Sequence, residues 1–220
     1  MGFMPKQMDA VAVTAAIAGA IEATGASGVR DMGKVMAHLK ERFAGQMDFT
    51  EASARVNLAA LYRLPDHYGW SDLIYNHISA RVPGEAAFLV KAHAVMFDEV
   101  TASNLMKVKL DGSNMDAKGF VGDRRINRAG FTIHSAVHMA RPDAQCVMHT
   151  HTLAGMAVAA QEQGLLPLNQ MSMEFYGRVA YHDYEGIALD LDERERLVRD
   201  LGDKDAMILK HHGLLTTGRT

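Results

Sequence analysis

Two of the chain's eleven histidines, His149 and His151, follow directly on the apolar residues Val147 and Met148. In an extended strand residues i and i+2 project to the same side, so this pair is expected to converge on one point. Two neutral imidazoles at that spacing suit zinc or a similar divalent ion. A second cluster, Lys210-His211-His212-Gly213-Leu214-Leu215, follows the short apolar run Ala206 to Leu209. Neighbouring strand residues face opposite sides, so one of His211 and His212 is expected to join the pair, and spacing leaves open which. Three protein ligands with an open fourth position would suit catalysis, because the vacancy admits water or substrate. A thiolate cage and an internal disulfide are both excluded, since Cys146 is the single cysteine.

The elements that must position these residues can be read from periodicity. Val11 to Ala23 is alanine-rich and favours a helix, Gly25-Ala26-Ser27-Gly28 breaks it, and a second helical arm runs from Asp31 to about Arg42. Met32, Val35, Met36 and Leu39 give that arm one apolar face. From Ala54 a further helix carries Leu58, Leu61 and Tyr62, and Pro65 is expected to end or kink it. Strands are expected at Ile74 to Val82, Phe88 to Phe97 and Met106 to Leu110. A helix from Phe131 to Ala140 then precedes the strand Gln145 to Thr150. Ala154 to Gln163 reads as helix, Arg178 to Tyr181 as strand, Asp192 to Leu201 as a charged amphipathic helix and Ala206 to Leu209 as a buried strand. Strands interleaved with helices imply an α/β or α+β layered domain.

The chain has 220 residues and 48% hydrophobic content, enough for one substantial domain and a smaller appendage. A formal net charge of −3 arises from interspersed acids and bases, so neither nucleic acid nor an anionic membrane surface is an expected partner. No segment approaches the roughly 20 apolar residues of a membrane span, and Met1 to Lys6 lacks a secretory pattern, so a cytoplasmic location is expected.

The histidine clusters also carry a resemblance. His149-Thr150-His151, preceded by Ala140-Arg141-Pro142-Asp143 and followed by His212-Gly213-Leu214-Leu215, resembles the metal-binding core of the class II aldolase/adducin family. The segments Ser71 to Ser79, Phe97 to Leu105, Gly130 to His134 and Ala180 to Gly186 agree with it, so the resemblance spans residues 54 to 220. It implies a central, mainly antiparallel sheet between helical layers, and a homo-oligomer, usually a tetramer. It also selects His212 over His211 as the third metal ligand, because the family's third histidine immediately precedes a glycine. Residues 1 to 53, through Ala20 to Ser27, Asp31 to Met36 and Ala44 to Phe49, resemble the C-terminal helices of GatB/YqeY-type domains. Relatives continue with helical sequence beyond the third ligand, so the chain is expected to be a fusion or a C-terminally truncated product.

The family's sugar-phosphate aldolases cleave a carbon–carbon bond beside a carbonyl, and a divalent cation, zinc or else manganese, cobalt or iron, stabilises the resulting enediolate. A carboxyl group is also needed to move protons. The position resembling their catalytic glutamate is Gly130, which has no side chain to do so. His134 and His138 follow at successive helical turns, and His134 is the candidate acid or base; the alternative is that both pack or orient ligands. His77 stands where the resemblance places a substrate-contacting asparagine, Lys91 where relatives have a phosphate-binding turn, and Tyr181 is a further substrate-binding candidate. The expected function is a metal-dependent lyase acting on a small carbonyl or hydroxy-acid compound. Its alternative is a non-catalytic, adducin-like module for protein contacts, and metal content separates the two.

Overall fold

The computed structural model describes residues 7–27 and 29–219; the expectations placed on residues 1–6, Gly28 and Thr220 lie outside them. Helices α1 (Ala10–Thr24), α2 (Met32–Arg42) and α3 (Phe49–His67) open the chain, followed by strands β1 (His77–Arg81), β2 (Ala87–Val90) and β3 (Met106–Lys109). A two-stranded hairpin, β4 (Phe120–Val121) with β5 (Arg124–Arg125), leads into α4 (Arg128–Ala140) and β6 (Cys146–Thr150). Helices α5 (Leu153–Ala159) and α6 (Gln170–Met173), β7 (Val179–His182), α7 (Glu193–Leu201), β8 (Ala206–Leu209) and β9 (Gly213–Gly218) complete it.

Seven strands form one mixed sheet in the order β3-β2-β1-β6-β9-β8-β7. Every pairing is antiparallel except that of β7 with β8, in keeping with the expected mainly antiparallel sheet. Side chains alternate across it. On β6, Val147 enters a core with Ile133, Val137, Leu197 and Leu201 of α4 and α7, while Cys146 and Met148 pack with Leu58 and Tyr62 of α3. The sheet is thus sandwiched between helices, with α4 and α7 on one face and α3 and α5 on the other.

Several boundaries differ from the sequence expectation, each for a local reason. Pro65 does not end α3 where it stands: it forgoes one amide hydrogen bond to the preceding turn, and the helix runs two residues further, to His67, closing before Gly69 at φ 67°. The expected strand over Phe88 to Phe97 stops at Val90. The buried Tyr62 hydroxyl inserts where the β1–β2 ladder would continue: it donates to the Ile78 carbonyl and accepts from the Ile78 amide at 2.9 Å and the Lys91 amide at 3.3 Å. That wedge parts the two strands as they approach His77 and Lys91. Strand β9, central in the sheet, was not anticipated, because Gly213-Leu214-Leu215-Thr216-Thr217-Gly218 is bounded by glycines with low strand preference.

Helix α3 also joins the amino-terminal helices to the sheet. Its first half shares a core with Ile17, Val35 and Leu39, and Leu58 and Tyr62 pack on Ile78 and Leu89. Among the described residues no helix is long and apolar enough to cross a membrane. Because Tyr62→Phe would strand two buried backbone amides and a carbonyl, it is expected to destabilise the fold by about 1–3 kcal/mol. A urea melt with an unchanged midpoint would refute the wedge.

Candidate metal centre

Strand ends bring the three ligand candidates together. β6 delivers His149 at its carboxyl end, and β9 begins at Gly213, directly across the sheet. His151 lies just beyond β6, and the His149 and His151 Nε2 atoms approach to 2.9 Å. The His212 ring completes the group, with its centroid 4.7 Å from that of His149 and 4.9 Å from that of His151. One ring nitrogen from each lies within 4.8 Å of the others, so the cluster could hold a metal ion. His211 turns outward in the β8–β9 hairpin, with φ at 57° and its amide bonded to the Ala159 carbonyl. It and His212 therefore stand on a tight turn and not on a strand, and the turn separates their directions.

Gly213 makes this convergence possible. A Cβ there would meet the Thr150 carbonyl oxygen at 2.5 Å and the His151 ring at 3.0 Å, so the glycine after the third histidine permits close backbone approach.

Each rear nitrogen of the first pair is committed. His149 Nδ1 donates to the Leu214 carbonyl at 2.9 Å, and His151 Nδ1 meets an Asp72 carboxylate oxygen at 2.9 Å. Those bonds turn Nε2 of both rings inward, the arrangement by which ligating histidines are oriented. Burial, followed by the neighbouring His77, His212 and His151, holds His149 well below the usual imidazole range; burial and then His151 lower His212 to about 4. Neutral rings with lone pairs available are what a cation requires. Asp72 escaped sequence reasoning, because it sits in a turn 79 residues from His151 with no periodicity to link them.

Behind the cluster runs a buried chain of polar side chains. His77 pairs across the sheet with His149, their ring centroids 5.0 Å apart. His77 Nδ1 lies 2.7 Å from His134 Nε2, His134 Nδ1 lies 2.5 Å from Ser79 Oγ, and Ser79 Oγ lies 2.8 Å from His138 Nε2. Thus α4 does present His134 and His138 to the sheet from one face. His134 stands behind His77 and is separated from the three-histidine cluster by that ring. Ser79 is a linking residue that no sequence signal marked.

The glycine at 130 has a physical counterpart. A Cβ at that position would lie 2.8 Å from His77 Nε2 and 2.9 Å from Cδ2, so the His77 ring fills the space a side chain would need. Beside it is a small pocket lined by Ile74, His77, Phe88, Lys91, Asn127 and Gly130. Lys91 is buried there, with Nζ donating at 2.9 Å to both the Ile74 and Val95 carbonyls, and burial lowers its pKa to about 8. Tyr181 is not brought into this group: it is partly exposed on β7, and its hydroxyl accepts from the Leu165 amide at 3.1 Å.

Comparison with known proteins follows the same division of the chain. Residues 56–220 match the model of the Class II Aldolase and Adducin N-terminal domain, and residues 1–59 match that of Yqey-like protein. The structure of an aldolase II superfamily protein from Pseudomonas syringae is similar at a TM-score of 0.73 and 58% identity, covering 78% of this chain and 68% of that one. An L-fuculose 1-phosphate aldolase from Glaciozyma antarctica PI12 gives a TM-score of 0.64 and 32% identity over 77% of this chain and 65% of its own. Alpha-adducin of Rattus norvegicus is 47% identical over 79% of this chain but only 23% of the adducin. The chain therefore spans about two thirds of the first two of these relatives and under a quarter of the adducin.

Proposed function

Because the chain belongs to the class II aldolase and adducin family, we propose that it is a divalent-metal-dependent lyase acting on a small hydroxylated or carboxylated carbonyl compound. The observation that carries this reading is the inward-facing Nε2 pair of His149 and His151, 2.9 Å apart with both rear nitrogens already engaged. An ion about 2.0–2.1 Å from each nitrogen fits between such a pair, and His212 supplies a third ligand. Zinc suits three imidazoles; manganese, cobalt and iron are the alternatives. A divalent ion at this place would supply Lewis-acid stabilisation of negative charge developing on a carbonyl oxygen.

The chain's own residues supply the rest. Asp72 and the Leu214 carbonyl hold the first two ligands in orientation. His77 occupies the space beside Gly130 and is the nearest imidazole outside the ligand set; His134 supports it and acts through it. Lys91 lines the adjoining pocket, where it favours an anionic or strongly polar substrate group. The exposed apolar side chains Leu168, Met171, Tyr176 and Ile187 support assembly with further copies of the chain.

Asp72→Asn is expected to weaken zinc affinity by about 10–100-fold with the fold unchanged. Competition against a chelating dye reads this directly, and equal affinities would remove Asp72 from the centre. The proposed activity is tested by supplying metal-loaded protein with small aldols, hydroxy acids and keto acids. Turnover in one class that disappears in His77→Gln is the expected result. Stoichiometric metal with no turnover in any class would favour the second reading, a protein-contact module, which the adducin similarity and the missing side chain at 130 support.

A further inference from the structure

The polarity of the buried chain behind His77 can be worked out from one end. Its last bond runs from His138 Nδ1 to the Ala144 carbonyl at 3.2 Å. A carbonyl only accepts, so Nδ1 carries the proton. Burial first, and then the charge of Arg81, lowers the His138 pKa to about 3, so this ring is neutral and its Nε2 is a bare acceptor. Ser79 accordingly donates its one hydroxyl proton to His138 Nε2. Its oxygen can then only accept from His134, which fixes the His134 proton on Nδ1. His134 is fully buried and neutral, so its Nε2 accepts in turn, and the donor facing it is His77 Nδ1. One backbone carbonyl thereby dictates the tautomers of three histidines.

The last ring of this hydrogen-bonded series, His77, lies beside His149 of the candidate centre, their centroids 5.0 Å apart. His77 Nε2 faces Gly130 and borders the pocket that Lys91 and Asn127 also line. It has no hydrogen-bond partner among the described residues. An acceptor left open at the wall of a pocket, on a side chain otherwise buried, selects for a ligand that brings a donor and discriminates against one that lacks it.

We infer that His138, Ser79 and His134 are positioning residues that hold His77 as its Nδ1–H tautomer, so that Nε2 accepts a hydrogen bond from a substrate hydroxyl. The substrate is then a hydroxy-carbonyl compound whose hydroxyl is free, neither phosphorylated nor carboxylate at that atom. The substrate half of this inference rests on the proposed metal centre; the tautomer half does not.

The 220-residue chain, labelled with ¹⁵N-histidine and free of metal, tests the first half through long-range proton–nitrogen correlations at neutral pH, assigned with His77→Gln and His138→Gln. Nδ1–H patterns for His77, His134 and His138 are expected; a proton on His77 Nε2, or an imidazolium there, would overturn the inference. Ser79→Ala is expected to convert the His77 pattern to a mixture of tautomers, with Ser79→Thr restoring it. An unchanged His77 pattern in a folded Ser79→Ala protein would remove the positioning role, and if that variant fails to fold the wild-type spectrum still decides. For the second half, hydroxyacetone and acetone, which differ by one hydroxyl, are titrated into zinc-loaded protein. Hydroxyacetone alone should move the His77 Nε2 resonance, and equal responses would overturn hydroxyl recognition. Failure to take up zinc would count against the metal reading and hydroxyl recognition together, leaving the tautomer assignment to the metal-free spectrum.

Discussion

His149→Ala and His151→Ala are each expected to reduce divalent-metal binding from stoichiometric to undetectable at micromolar protein. The reason is that each removes half of the 2.9 Å nitrogen pair on which the centre is built. The loss should exceed the about 10–100-fold expected when only an orienting carboxylate is altered. His212→Ala should follow the same course, whereas His211→Ala should leave metal content intact, because His211 points out of the hairpin. Metal analysis after dialysis, with circular dichroism as a control for folding, reads all four. Full metal content in both the His149 and His151 variants would sink the assignment, and loss in His211→Ala would move the third ligand.

The second large effect concerns Gly130 and His77, whose departures from the aldolase pattern reduce to one packing event. The His77 ring stands where a side chain at 130 would begin, with contacts of 2.8, 2.9 and 3.1 Å to an added Cβ. Gly130→Ala is expected to cost about 1–3 kcal/mol of stability as an overpacked core site. Helix propensity alone would favour alanine by about 1 kcal/mol, so a net loss isolates the clash. Gly130→Glu should destabilise further, and His77→Asn should relieve much of that cost by clearing the ring. Denaturant melts of the two single variants and the double variant measure the coupling, expected at about 0.5–3 kcal/mol in the compensating direction. Additivity within about 0.5 kcal/mol would show the two positions to be independent.

How much of this was legible before folding differs between elements. The amphipathic spacing of Met32, Val35, Met36 and Leu39 and the alternation around β6 mark their elements, because those periods arise from local geometry. Strand β9 was missed, since its position between β6 and β8 is a property of the sheet and its residues are flanked by glycines. The premature end of β2 depends on a hydroxyl from α3, which no window around Phe88 contains.

The candidate site divides along the same line. Sequence sufficed to nominate histidines as ligand candidates and to pair His149 with His151, because a two-residue spacing at a strand end is a local geometric fact. Resemblance narrowed the third ligand candidate to His212, and the close approach of Gly213 to Thr150 is the physical reason a glycine follows it. Tertiary structure alone brought Asp72 behind His151 and carried the polarity of Ala144 through His138, Ser79 and His134 to His77. It also placed His77 in the space at Gly130. Hydrogen bonds and steric exclusion between residues tens of positions apart depend on how strands and helices stack, and no single-segment periodicity encodes that stacking.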